Sequence, residues 1–175
     1  MFWKKKKVDW KEHFNEQFQK CVNAFLEHDY QASLTHASKL MAEQLLNFEV
    51  LLMSLISMMR LADMAKVKNT YTKLMPLLAK ENHPEARRHA VLLRLLFGDA
   101  TLDEALRSVE DNRARCQAHF CEGIRKLNEA DKAGAEREFQ TCVDLGVDCL
   151  EAKLAASQKK LLEGSVLVRA KTGPV

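Results

Sequence analysis

Between Ala118 and Val143 the chain reads AHFCEGIRKLNEADKAGAEREFQTCV, with Phe120, Gly123, Ile124 and Leu127 at i, i+3, i+4 and i+7. That spacing gathers the four along one side of a helix. After a break at Ala130-Asp131, Ala135, Phe139 and Cys142 recur at i, i+4 and i+7. Two amphipathic helices of about three to four turns, joined by a tight turn, form a hairpin that leaves both apolar faces wet when it stands alone. The pattern therefore predicts that this hairpin stacks on others.

The same rhythm runs through the rest of the chain. Asp9, with Glu12 three residues on, is placed to cap a first helix carrying Phe14, Phe18, Cys21, Val22 and Phe25. A second helix carries Leu34, Ala37, Leu40 and Met41 inwards and runs on towards Leu46. From Asn47 a third carries Leu52, Leu55, Ile56 and Met59, and Val67, Tyr71 and Leu74 mark the helix that follows. Pro76 either kinks that helix or ends it at Met75, because proline has no N–H to donate. Asn82 or His83 caps the next helix, with Pro84 in its first turn, Val91, Leu92, Leu95 and Leu96 inwards, and Phe97-Gly98-Asp99 at its end. Thr101 and Glu104 form a capping box ahead of Ala105, Leu106 and Val109. A closing helix is expected over 148–163, with Leu150, Leu154 and Leu161 inwards and Gly164 as its stop. The tail, 165–175, reads as flexible.

Asp29, Asp63, Asp99 and Asp131 stand at the turns, with spacings close to a 34-residue period. On Gly123, Leu127, Asp131, Ala135, Phe139 and Cys142 the stretch 115–145 resembles a tetratricopeptide (TPR) repeat, and 9–114 follows it more loosely. Two positions depart from the family pattern: His119 replaces a large apolar residue, and Leu145-Gly146-Val147 stands where a proline usually closes the unit. The third helix pair fits least well, with Arg88 where the others have Phe18, Leu52 and Phe120.

The resemblance implies an all-α, right-handed solenoid of antiparallel helix hairpins, about four of them over 8–164, closed by a C-terminal capping helix. It also implies a concave wall made by the first helix of each pair. Carried across, that wall is Phe18, Val22 and Phe25; Leu52, Ile56 and Met59; Arg88, Leu92 and Leu95; and Phe120, Ile124 and Leu127. TPR domains that clamp an acidic peptide terminus use Lys, Asn and Arg at these places, and that clamp is missing here. The implied role is a non-catalytic adaptor or assembly factor whose groove takes an apolar helix or extended segment, from another protein or from a second copy of the chain.

Composition agrees with helix and narrows the function. Glycine (6) and proline (3) are scarce in 175 residues. The formal charge of +3 becomes −1 once Lys4, Lys5, Lys6 and Lys7 are set aside, so no basic face for nucleic acid is expected. Phe2 and Trp3 beside those four lysines make an N-terminal tag, 1–7. It is either a frayed terminus or a weak contact with an anionic membrane surface, at roughly 1 kcal/mol per lysine. The lysines are followed by VDWKEHFNEQF, not by an apolar stretch, so no secretory signal is expected. The run Val50 to Met59 is about half of a membrane span.

Five cysteines without paired spacing suit a reducing compartment with free thiols. The expected location is the cytoplasm, with the inner face of a membrane as the alternative. Phosphate-cradling glycine loops, H-E-x-x-H and G-x-S-x-G are missing, so neither an enzyme nor a small-molecule substrate nor a cofactor is expected. Cys116, His119, Cys121, Cys142 and Cys149 crowd together in sequence but lack zinc-knuckle spacing, and packing is the simpler reading.

Overall fold

The computed structural model describes the backbone of residues 10–43 and 47–171. The N-terminal tag, the Asp9 cap, the approach to Leu46 and the end of the tail lie outside the described residues. Among those described there are nine α-helices and no strand. They are α1 (Trp10–Leu26), α2 (Tyr30–Ala42), α3 (Phe48–Arg60), α4 (Met64–Lys80), α5 (Pro84–Phe97), α6 (Leu102–Arg107), α7 (Asn112–Asn128), α8 (Lys132–Asp144) and α9 (Leu150–Lys171). None is long and apolar enough to cross a membrane. The sequence pattern suggests one domain over 8–164, whereas the chain gathers into two compact units, Met1–Lys68 and Asn69–Val175.

In the first unit α1 packs on α2, α2 on α3, and α1 also reaches α3. The α1–α2 pair closes where Cys21 meets Ser33, both fully buried, with the thiol donating to the Ser33 carbonyl at 3.4 Å. Phe25, Ala37 and Leu40 fill the space beside them. Leu34 and Met41, expected inwards, are only half-buried, because Ser33 takes the inward position on that face. Ten of the thirteen residues of α3 are buried, Phe48 and the unbroken run Val50–Met58. A helix apolar on nearly all sides belongs inside a fold, and each fully buried Leu or Ile there contributes about 1.5–3 kcal/mol.

In the second unit α5, α6 and α7 pack mutually, α7 packs on α8, α8 on α9, and α7 also reaches α9. Leu92, Leu93, Leu95, Leu96, Phe120, Ile124, Phe139 and Leu154 make its core. A thin contact, Gly123 against the ring of Phe139, lets α7 and α8 approach closely.

The turns at the aspartate ladder share one construction. His28, Ala62, Gly98 and Ala130 all adopt left-handed backbone, with φ of 62°, 58°, 80° and 64°. In each case the following aspartate N–H reaches back to a carbonyl of the last turn: Asp29 to Ala24 at 2.9 Å, Asp63 to Met58 at 3.0 Å, Asp99 to Arg94 at 2.8 Å and Asp131 to Lys126 at 2.9 Å. The left-handed residue bonds one carbonyl further on, as a Schellman cap requires. Three of the aspartates then cap the next helix, accepting from Ala32 (2.9 Å), Lys66 (3.2 Å) and Gly134 (2.8 Å). Asp99 does not. Its turn is longer, Thr101 and Glu104 form the capping box in its place, and Asp99 accepts from the Tyr71 hydroxyl at 2.5 Å.

At Pro76 one of the two alternatives, an end at Met75, drops out, and the expected stop at Gly164 is corrected. Pro76 lies inside α4, which continues to Lys80; a proline removes one hydrogen bond, and the helix persists on either side of that gap. Gly164 lies inside α9, which starts at Leu150 and runs to Lys171, so helix takes in most of the segment expected to be flexible. Gly164 is not left-handed and does not terminate the helix. Leu161, expected inwards, is exposed.

Candidate functional site

The wall expected to line an open groove is largely interior. Val22, Phe25, Leu52, Ile56, Leu92, Leu95, Phe120 and Ile124 are buried, and Phe18, Met59, Arg88 and Leu127 are half-buried. This corrects their assignment as a free surface. Neighbouring helices pack close enough to cover the apolar face that a wider array would leave open, as the direct contacts of α1 with α3, α5 with α7 and α7 with α9 show. Arg88, the odd member, keeps its Nε buried without a hydrogen-bond partner among the described residues.

What remains accessible lies at the margins of each unit. On α1, Trp10, Phe14 and Phe18 follow at i, i+4 and i+8; Trp10 is 61% exposed, and the Phe14 and Phe18 rings stack with centroids 5.7 Å apart. The Lys11 ammonium sits 5.6 Å from the Trp10 ring, within cation–π range. At the turn from α3 to α4, Leu61 and Met64 are exposed. In the second unit, among the described side chains, Leu77 and Leu161 are large apolar groups left in solvent.

His119, which breaks the repeat pattern, is accounted for by its partner. Its Nδ1 lies 2.8 Å from Glu138 Oε2, both side chains being mostly buried. A carboxylate only accepts, so Nδ1 carries the proton, and the pair ties α7 to α8 where an apolar contact would otherwise stand. Nearby, Arg125 grips Glu122 with two bonds of 2.8 and 2.6 Å and reaches Glu129 at 2.6 Å, which holds the guanidinium pKa above its usual value. Gln117 Nε2 donates to Glu151 Oε1 at 2.9 Å, joining α7 to α9 inside the unit, while Gln117 Oε1 and Glu151 Oε2 have no partner among the described residues.

The cysteines depart most from expectation. Cys116 on α7 and Cys142 on α8 form a disulfide, with Cα atoms 4.6 Å apart. Cys149, the residue before α9, has its sulfur 3.5 Å from that of Cys116. The 26-residue separation gives no hint of pairing, because the hairpin folding about Ala130-Asp131 brings the two together. Cys21, Cys121 and Cys149 are free and buried, and burial pushes all three thiols up in pKa. Among the described residues no group of three or more His, Cys, Asp or Glu side chains is arranged to hold a metal ion.

The exposure of Trp10 at the end of the α1 aromatic stripe and the approach of Cys149 to Cys116 go beyond the sequence pattern, which sets Phe14 and Phe18 on an apolar face and Cys149 among crowded cysteines. The i, i+4, i+8 spacing from Trp10 was the available signal for the stripe; only the hairpin geometry reveals the approach. No protein-family model matches the chain, and no curated protein and no solved structure matches it either.

Proposed function

We propose that the chain is a non-catalytic protein-interaction module built from TPR-like helix pairs, in a right-handed solenoid, that holds an apolar helix or extended segment of a partner protein. The observation that carries this reading is the fourfold recurrence of one turn, a left-handed residue followed by an aspartate, between amphipathic helices. The packing of alternate helices, α1 on α3, α5 on α7 and α7 on α9, supports it, since stacked hairpins bring their first helices side by side.

With most of the expected wall buried, we assign the contact to the part that stays accessible, the Trp10, Phe14 and Phe18 stripe of α1. Anchors one turn apart on a helix suit a partner helix laid alongside. The test is co-purification from the native host with quantitative mass spectrometry, comparing wild type with Trp10→Ser/Phe18→Ser and with Leu77→Ser as a control. The reading expects the double variant to lose its specific partner and the control to keep it. Equal capture by a folded double variant would remove it.

A second reading, peripheral attachment to an anionic membrane, is favoured by one observation: exposed Trp10 with Lys11 beside it extends the series Phe2, Trp3 and Lys4 to Lys7. Flotation with anionic vesicles at low salt separates the readings. Equal flotation of the full chain and of a chain lacking residues 1–7 counts against attachment through the tag.

A further inference from the structure

We propose that Cys149, Cys116 and Cys142 form a disulfide relay, in which Cys149 receives an oxidising equivalent from a low-molecular-weight disulfide and passes it through Cys116 to Cys142. This is a modification site independent of partner binding.

Three placements carry it. Cys116 stands between the other two, bonded to Cys142 and 3.5 Å from the Cys149 sulfur, so one sulfur can pair with either neighbour. Accessibility is graded: Cys116 and Cys142 have no exposed surface, and Cys149 has 6%. The outermost thiol also begins a helix, since its carbonyl accepts from the Lys153 N–H at 3.4 Å; burial and the Glu151 carboxylate hold this thiol above its ordinary pKa against the opposing pull of the Ala152 amide, so the relay rests on sulfur proximity and not on an activated thiolate. The three cysteines come from α7, from α8 and from the residue preceding α9, so each pairing fastens a different pair of elements.

The chemistry balances in three exchanges. The Cys149 thiolate attacks the small disulfide and forms a mixed disulfide, expelling one small thiolate. The Cys116 thiolate then attacks Cys149 Sγ, and the second small thiolate leaves. Finally the Cys142 thiolate attacks Cys116 Sγ, a Cys116–Cys142 bond forms, and the Cys149 thiolate is released. The small disulfide is reduced by two electrons to two thiols, and the chain is oxidised by two electrons. The final state is the pairing seen in the structure. The intermediate state ties α7 to the head of α9.

The experiment uses the full chain, reduced and then exposed to oxidised glutathione, quenched at intervals, alkylated after unfolding and weighed intact. Wild type ends with three of its five cysteines alkylated. Cys142→Ala should stop with Cys116 joined to Cys149 and two cysteines alkylated, and Cys142→Ala/Cys149→Ala should show no internal bond. Cys116→Ala should hold glutathione on Cys149, and Cys149→Ala should form the Cys116–Cys142 bond at least about tenfold more slowly, because attack must reach a sealed sulfur.

Wild type gives a readout independent of any substitution. Cleavage before Asp131, Asp144 and Asp148 places Cys142 and Cys149 in separate peptides, and the Cys116–Cys149 link should appear early and decay. Four alkylated cysteines in folded Cys142→Ala would overturn the relay, as would an internal bond persisting in the double variant. So would a wild-type time course in which the Cys116–Cys149 link never appears.

Discussion

The ring of Phe139 occupies the place where Gly123 would carry a side chain: a methyl built there would lie 2.5 Å from Cε1 and 2.7 Å from Cδ1 of the ring. Both residues are buried, and Phe139 also faces Phe120 with ring centroids 6.0 Å apart. Replacement of Gly123 by alanine is therefore an overpacking change, expected to cost about 1–3 kcal/mol despite the gain in helix propensity. Phe139→Ala should cost about 3–5 kcal/mol by leaving a cavity. Gly123→Ala/Phe139→Ala should be more stable than the sum of its parts, because removing the ring also removes the clash. Urea denaturation of the four proteins makes the cycle, and strict additivity would show that the two do not touch.

His28, Ala62 and Ala130 hold left-handed backbone without being glycine. Such a residue costs roughly 1–2 kcal/mol, reduced by the extra freedom that glycine has in the unfolded chain. Ala62→Gly and Ala130→Gly should each stabilise by about 0.5–1 kcal/mol. Gly98→Ala should do the reverse by about 1 kcal/mol; nothing lies within 4 Å of its missing Cβ, so the cost is purely conformational. Thermal melts of the three variants check the signs.

Asp131 gives a pH dependence. Its carboxylate is held below the usual range, first by the Gly134 N–H it accepts and then by the charge of Lys126. A depressed folded pKa contributes stability that is full above the unfolded value and is lost as pH falls through the folded one. Asp131→Asn keeps an acceptor oxygen but no charge. The wild-type advantage should therefore be steady near neutrality and shrink from about pH 4 downwards. Denaturation midpoints of both proteins across that range test it.

Tyr71 gives the alkaline counterpart. Its ring stacks on Phe97 with centroids 4.0 Å apart and its hydroxyl donates to Asp99, and burial with that carboxylate pushes its pKa up from 10.0 to about 12. A phenol whose folded pKa is raised stabilises fully below its unfolded value and loses that contribution as pH rises through the folded one. Stability should fall between pH 10 and about 12 in wild type, and by less in Tyr71→Phe. Ultraviolet absorbance of phenolate formation locates the titration directly.

The turns were legible because their signals are local. Asp29, Asp63 and Asp131 follow the residues that reverse the chain, and the Thr101–Glu104 box lies within four residues. The exception at Asp99 was visible as an irregular spacing, though its bond to Tyr71 was not. Burial was harder to read. The i, i+3, i+4 pattern showed which side of α7 is apolar, but whether Phe120 and Ile124 meet solvent or another helix depends on how closely hairpins approach. Pro76 left two outcomes open and Gly164 misled, because each weakens a helix by an amount its neighbours can offset. The Cys116–Cys142 pair depends on the register between α7 and α8, which spacing does not encode.

Within each compact unit the helices touch those one or two places away in the chain. Such contacts close short loops, so little of the chain needs to be threaded past itself before packing begins. During synthesis α1 and α2 have one another as soon as both clear the ribosome, and α3 completes their shelter a few residues later. Assembly can thus keep pace with translation.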